Sequence, residues 1–301
     1  MIAGMNAIPM TVAPPARAAA AWANGLAGVA IFAGSLPATK IAVAAFDPLF
    51  LTLARAAIAG IVAILLLAVL RPPRPTRGDL VSLVIVALGV VVGFPLLTAL
   101  ALGHVTSAHA IVFIGLLPIA TAVFGAIRGG ERPRPAFWAF SLAGSAIVAG
   151  YALRGGGDAS LVGDGLMLLA VVVCGLGYAE GGRLSRRLGG WQVISWALLL
   201  SLPAMLPAAV LTRPESWDGV GPSGWLALGY VALFSMLIGF VFWYRGLAQG
   251  GIAAVGQLQL LQPFLGFALA ALLLGETVGW PLLAAAVAVV LCVAGARRFA
   301  G

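Results

Sequence analysis

Two proline-containing segments carry polar residues suited to binding a small molecule inside an otherwise apolar chain. Pro118 and Pro263 each lie about halfway along a long apolar stretch. Proline removes one backbone donor there and clashes with the carbonyl oxygen four residues earlier. A carbonyl freed in apolar surroundings needs a partner. Each segment therefore predicts either a broken helix that faces a water-filled cavity or a kink satisfied by neighbouring helices.

Three amide side chains, Gln257, Gln259 and Gln262, lie just before the second proline. With about 100° of rotation per residue, Gln259 and Gln262 fall within about 60° of each other on a helix, whereas Gln257 points elsewhere. Gln259 and Gln262 are thus the leading candidates for polar contact with a substrate. Hydrogen bonds between helices, worth ~0.6–2 kcal/mol each, explain such amides equally well.

The first proline segment contains a histidine and an aromatic ring. Phe113 follows His109 by one helical turn, which places both rings on one face. His109 is a candidate to bind substrate or to respond to pH. The competing interpretation is a neutral histidine near the outer membrane interface.

Aromatic residues in other stretches are candidates for the wall of a cavity. Trp243 corresponds to Thr98 at the offset of 145 residues that separates the two prolines. Phe94 and Tyr178 are weaker candidates of the same kind. These side chains either line a cavity for an apolar or aromatic group or belong to the aromatic belt at the membrane interface.

Arg55 is the basic residue that lies deepest in an apolar stretch. It lies eight residues beyond Asp47, or about 12 Å along a helix. An arginine near mid-membrane costs ~2.5–3.5 kcal/mol on insertion scales, so it should face the bundle interior or snorkel outward. Arg55 is therefore either an anchor for a substrate carboxylate or a partner of Asp47 or of carbonyls at the helix end.

Acidic residues are expected only in or beside the connections between apolar stretches, with Glu180 marginally inside one of them. A proton-coupled exporter of organic cations would be expected to bury a carboxylate at mid-membrane, both as proton carrier and as counter-charge. The distribution of acidic residues disfavours that class of transporter.

The elements that must position these residues are membrane helices. Hydrophobic residues make up 62% of the 301 residues, mean hydropathy is +1.11, and 9% of residues are charged, against about 25% in soluble domains. The apolar runs are continuous, which favours helices over barrel strands. We predict an all-α membrane protein with ten transmembrane helices near residues 22–44, 48–70, 80–102, 106–127, 136–153, 163–182, 191–211, 223–247, 252–274 and 278–296.

The distribution of charge predicts the orientation and the repeat. Most of the 17 basic residues fall in one set of connections, so the positive-inside rule places both termini in the cytoplasm. Residues 1–154 and 155–301 form two five-helix repeats, and the odd helix number inverts the second. Pro118 precedes Gly130-Glu131 as Pro263 precedes Gly275-Glu276. Inverted repeats usually place a substrate site between them near the midplane.

These features together resemble a known family of carriers. Gly34-Ser35 and Lys40 in the first helix, Arg55 in the second, the two proline to Gly-Glu spacings and the five-plus-five order resemble the EamA type of the drug/metabolite transporter superfamily. Within it the chain is similar to amino-acid exporters of the YddG type. The resemblance implies export of amino acids or other metabolites across the inner membrane.

The predicted function is a secondary transporter or uniporter that exports small metabolites by alternating access around a central cavity. Uncharged amides, freed carbonyls, aromatic walls and one arginine suit an amino acid with an apolar or aromatic side chain. Export of other small metabolites or of drugs is the alternative. The expected partners are this substrate and the lipid bilayer, with no nucleic acid and no obligate protein partner.

Other classes of function fit the sequence less well. An intramembrane enzyme needs a nucleophile with a base, or paired metal ligands, and His104 and His109 do not share a helical face. A carrier of phosphorylated sugars needs several basic residues at the midplane. The chain lacks a phosphate-binding G-x-x-x-x-G-K-[ST] loop. Cys174 and Cys292 are expected to be buried small hydrophobes, and no cofactor or metal is expected.

Overall fold

The structure is a computed structural model in which residues 15–101, 103–105, 107–154, 160–274 and 279–300 are described. These residues form helices joined by short connections, with no strand among them. The second Gly-Glu pair, Gly275-Glu276, and most of the glycine-rich midpoint of the chain, 155–159, lie outside the described residues.

The helices of the first half of the described chain are α1 (Pro15–Val43), α2 (Pro48–Leu70), α3 (Arg77–Val86), a π-helical segment (Ala87–Gly93), α4 (Phe94–Ala101), α5 (Ser107–Ile114), α6 (Leu117–Gly129) and α7 (Pro135–Leu153). Those of the second half are α8 (Leu161–Leu188), α9 (Gly190–Leu211), α10 (Pro222–Gly229), a second π-helical segment (Tyr230–Ile238), α11 (Gly239–Gly250), α12 (Ile252–Gly256), a 3₁₀ segment (Gln257–Leu261), α13 (Gln262–Leu274) and α14 (Trp280–Arg298).

Eight helical stretches in the described residues are long and apolar enough to cross a membrane. They are Ala18–Val43, Pro48–Leu70, Arg77–Ala101, His109–Gly129, Leu161–Leu188, Gly190–Leu211, Pro222–Gly250 and Trp280–Arg298. Pro135–Tyr151 is a shorter apolar helix. The all-helical membrane architecture expected from the sequence is confirmed. Ten crossings, and the side on which each terminus lies, stay predictions.

Irregular helical turns recur at similar positions in the two halves of the chain. The two prolines are 145 residues apart (263 − 118 = 145). Adding 145 to the first π-helical segment, 87–93, gives 232–238, which lies inside the second one. Adding 145 to the break at 115–116, between α5 and α6, gives 260–261, at the end of the 3₁₀ segment. The two halves therefore depart from regular helix at equivalent places.

Local sequence signals explain where several helices begin. The carboxylate of Asp47 accepts hydrogen bonds from the backbone N–H groups of Leu49 and Phe50 at 2.9 and 3.1 Å, and Pro48 opens the helix. An aspartate cap and a proline in the first turn both favour a helix start. Thr76 and Asp79 form a capping box at the start of α3, where each satisfies a backbone donor of the other.

Glycines let the helix backbones approach closely where the core needs it. The main helix pairs are α1 with α11, α2 with α9, α6 with α8, and α7 with α14. In the first π-helical segment, a Cβ atom added at Gly89 would lie 2.5 Å from the carbonyl oxygen of Val173 in α8. That contact is shorter than any real Cβ contact, so this crossing depends on glycine.

We expect Gly89→Ala to destabilise the protein, because overpacking against a backbone atom typically costs ~1–3 kcal/mol. Gly165→Ala on α8 is the matched control, since a Cβ there meets nothing within 4 Å and alanine is favoured over glycine in a helix by ~1 kcal/mol. Thermal unfolding in detergent measures both variants. An unchanged melting temperature for Gly89→Ala would contradict the close approach of the two helices.

Candidate functional site

The 3₁₀ segment carries two buried amides without hydrogen-bond partners. Gln257 is 0% exposed and Gln259 is 5% exposed. Among the described residues, neither the oxygen nor the nitrogen of either amide has a hydrogen-bond partner. Buried polar side chains in proteins almost always have partners, and an unpaired one carries a desolvation cost. Four such atoms on one turn mark this segment as a candidate binding site.

The structure shows that Gln257 is buried, as Gln259 is, and the expectation that it points away from the site stays a prediction. The 3₁₀ segment packs against α1, α6, α7 and α14, and its first four residues are buried. Gln257 is therefore buried at least as deeply as Gln259. Gln262 begins α13 and is half-buried. A helical-wheel angle does not predict which of these amides is buried, because helices pack around the 3₁₀ segment.

Thr121 on α6 faces the same segment from the first half of the chain. A Cβ atom at Gly256 would lie 3.2 Å from the Cγ2 atom of Thr121. The Thr121 hydroxyl is buried and has no partner. Sequence reasoning missed this residue, although its position one turn after Pro118 was an available signal.

Four aromatic rings pack against one another next to Gln259, and we call them the aromatic wall. The ring of Tyr178 on α8 lies 5.5 Å from that of Trp243 on α11, and Phe240 lies 6.0 Å from Tyr178 and 5.0 Å from Phe32 on α1. Trp243 is fully buried, and its indole N–H has no partner. The Tyr178 hydroxyl lies close to the Gln259 amide, but the two groups do not form a hydrogen bond of normal geometry. Gln259 thus adjoins a large apolar surface.

Thr98 and Phe94 lie on α4, whose main neighbours are α8 and α2, whereas α11 packs on α1, α8 and α9. Both residues are half-buried, and the Thr98 hydroxyl has no partner. The structure therefore groups Trp243 with Tyr178, Phe240 and Phe32 rather than with its repeat counterpart Thr98.

His109 is paired with a carboxylate. Its Nε2 atom lies 2.7 Å from Oδ1 of Asp164, in the first turn of α8. Its ring lies 5.7 Å from Phe113, as the one-turn spacing predicted. The two partners are 55 residues apart in the chain, so no local pattern signals the pair.

Arg55 is half-buried on α2, and its Nε atom is buried without a hydrogen-bond partner. Asp47 is occupied in capping α2, and no ion pair joins it to Arg55 in the described structure. The interpretation of Arg55 as a partner of Asp47 is therefore wrong. Its role as a substrate anchor stays a prediction.

Both prolines lie at helix starts. α5 ends at Ile114, two turn residues follow, and Pro118 is in the first turn of α6. Pro263 is the second residue of α13, directly after the 3₁₀ segment. Proline in a first turn costs little because that N–H has no intrahelical partner. The helices are thus interrupted beside each proline rather than bent through it.

Carboxylates and arginines meet at one end of the bundle, which we call the arginine-rich end. It is formed by the C-terminal part of α8, the end of α6, the start of α3 and the start of α12. Glu180 is fully buried and pairs with Arg128 and Arg183, Asp79 pairs with Arg187, and Glu131 pairs with Arg186. Glu180 is thus buried inside the protein and held by two arginines.

No metal or redox centre is formed by the described residues. No group of three or more His, Cys, Asp or Glu in that part of the chain could hold a metal ion. Cys174 is buried and Cys292 is partly buried, and both are free thiols. The unpaired amides, indole and hydroxyl are suited to reversible binding of a molecule that has both polar and apolar parts.

Comparison with known proteins agrees with the all-helical membrane fold. A solved structure described as "Crystal structure of protein" superimposes with a TM-score of 0.78 over 94% of this chain and 98% of its own, at 24% identity, and so shares the fold. The uncharacterized transporter YdeK of Bacillus subtilis (strain 168) is 68% identical over 279 residues, 93% of this chain and 97% of YdeK. The profile of the EamA-like transporter family matches residues 19–153 and again 161–297. The chain therefore belongs to the EamA-like transporter family and is a membrane transporter.

Proposed function

We propose that this transporter is a secondary carrier or uniporter that exports small metabolites, first among them amino acids with apolar or aromatic side chains. The observation that carries the proposal is the pair of buried amides of Gln257 and Gln259, which have no hydrogen-bond partner among the described residues, with Gln259 next to Tyr178 of the aromatic wall. An amino acid offers donors and acceptors to the amides and an apolar group to Trp243 and Tyr178.

The proposed mechanism is alternating access around this site. Residues 1–154 and 155–301 act as two inverted five-helix repeats in a ten-helix bundle, with both termini on the cytoplasmic side of the inner membrane. Two facts support this arrangement: irregular turns recur at the 145-residue offset, and the family profile matches the chain twice. In such folds broken helices line the substrate site near the midplane.

Other small metabolites or drugs are the second class of substrate. The residues grouped at the site, Gln257, Gln259, Trp243, Tyr178 and Thr121, carry no charge at neutral pH. An organic cation would need a counter-charge there, because an isolated charge in a membrane interior is costly. The composition of the site therefore favours neutral or zwitterionic molecules over cationic drugs.

Proteoliposomes loaded with a panel of labelled amino acids test the proposal. We expect efflux above that of empty vesicles for at least one amino acid with an apolar or aromatic side chain, and little efflux of lysine or arginine. Efflux no greater than from empty vesicles for every amino acid would overturn the amino-acid assignment. Transport of a neutral non-amino-acid metabolite in the same assay would support the second class of substrate.

Collapse of the pH gradient in the same vesicles tests the coupling. We expect unchanged flux, because no carboxylate lies among the grouped site residues to carry a proton with the substrate. A flux that falls when the gradient collapses would indicate proton coupling. Comparison of His109→Gln with His104→Gln, the two histidines of the chain, would then show whether the His109–Asp164 pair is responsible.

A further inference from the structure

Glu131 reaches from the end of α6 to the start of α12 and binds it directly. Its Oε1 atom accepts hydrogen bonds from the backbone N–H of Ile252 and from Nη2 of Arg186, each at 2.7 Å. Its Oε2 atom accepts one from the backbone N–H of Ala253 at 2.7 Å. Three charge-assisted bonds of this length are strong. We call this arrangement the Glu131 clasp.

The side chain of Ile252 fills a socket made of three glycines. Cβ atoms added at Gly125 and Gly129 of α6 would lie 3.0 Å from Ile252, and one at Gly182 of α8 would lie 3.1 Å from it. Ile252 is 0% exposed. Larger side chains at these glycines would displace Ile252. The socket and the Glu131 clasp therefore both hold Ile252.

The clasp lies between the candidate site and the arginine-rich end. Ile252 precedes Gln257 by five residues, which is about 7.5 Å along an α-helix. Between them α12 is buried throughout, whereas Leu261 and Gln262, beyond the amides, are half-buried. The segment between the site and the arginine-rich end is therefore buried without a break.

The other ion pairs at this end hold different elements. Asp79–Arg187 joins α3 to α8, and Glu180 joins α8 to Arg128 at the end of α6. Neither pair bonds to α12. The Glu131 clasp connects α6 of the first half with both α8 and α12 of the second half.

We propose that the Glu131 clasp, with Ile252 in its glycine socket, is the gate that closes the candidate site toward the arginine-rich end. Glu131 is a positioning residue: it fixes the start of the segment that carries Gln257 and Gln259 and does not itself touch substrate. The proposal rests on the alternating access proposed above. Opening toward the arginine-rich end requires the clasp to break and Ile252 to leave its socket.

Cysteine accessibility tests the gate without any substrate. The background is the full-length protein with Cys174→Ala and Cys292→Ala, and the reporter is Thr121→Cys, which is buried next to Gly256. A membrane-impermeant thiol reagent is applied to right-side-out and to inverted vesicles. Transport is not needed for this readout, so a wrong substrate assignment leaves it unaffected.

We expect Glu131→Gln to raise the labelling rate from the arginine-rich face about tenfold and to lower it from the opposite face. Loss of about one charge-assisted hydrogen bond would change the ratio of open to closed protein about tenfold. The reciprocal change distinguishes a gate from a merely structural contact, because a loosened fold would label faster from both faces. Arg186→Gln, which removes one of the three bonds, should give a smaller shift in the same direction.

Asp79→Asn is the matched control, since it breaks an ion pair at the same end without touching α12, and we expect its labelling to stay unchanged from either face. If Glu131→Gln does not fold, Ile252→Ala empties the socket and should give the same reciprocal shift. Labelling that is unchanged in both gate variants, that rises from both faces, or that is matched by Asp79→Asn would overturn the proposal.

Discussion

Replacement of Gln257 or Gln259 by leucine is expected to stabilise the substrate-free protein and to weaken transport. Each amide is buried without a hydrogen-bond partner, and an unpaired buried polar group costs ~1–3 kcal/mol. An apolar side chain of similar size removes that cost. The same change removes the proposed contacts to substrate, so we expect KM to rise about tenfold per amide. Melting in detergent and efflux from proteoliposomes measure the two effects.

Gln262→Leu is the internal comparison for this prediction. Gln262 is half-buried at the start of α13, so replacing its amide with an apolar group should stabilise the protein less. We expect its melting temperature and KM to change less than those of the Gln257 and Gln259 variants. If Gln257→Leu and Gln259→Leu instead lower the melting temperature, the amides serve the fold, and the binding assignment fails.

Much of the fold and part of the site could be predicted from the sequence, because both depend on local patterns. Continuous apolar runs and proline punctuation indicated the membrane helices, and the two prolines indicated where those helices are interrupted. Gln259, Trp243 and Tyr178 were chosen as polar or aromatic side chains in apolar runs. The structure places them in one buried region.

The missed features depend on contacts between distant parts of the chain. Asp164 and Glu131 lie at helix ends, where the sequence suggests loop charges, yet one bonds His109 and the other bonds α12 across 121 residues. The helical wheel separated Gln257 from Gln259, yet both are buried, because helices pack around the 3₁₀ segment. Local sequence indicates where a helix ends but not which distant helix its last side chain reaches.

Removal of the two arginines that hold Glu180 is expected to cost more than removal of Glu180 itself. Glu180 is fully buried, whereas Arg128 and Arg183 are 43% and 41% exposed. Without Glu180 the arginines can turn to water or lipid headgroups, so we expect Glu180→Gln to cost ~1–2 kcal/mol. Arg128→Gln with Arg183→Gln leaves a buried carboxylate without a counter-charge, which costs ~3–5 kcal/mol.

A mutant cycle measured by thermal unfolding in detergent separates these effects. Adding Glu180→Gln to the double arginine variant should restore most of the lost stability, because it removes the uncompensated charge. Arg132→Gln with Arg298→Gln, two exposed arginines of the same end, controls for loss of positive charge and should change the melting temperature little. A triple variant no more stable than the double variant would show that the arginines stabilise the bundle by packing rather than by pairing with Glu180.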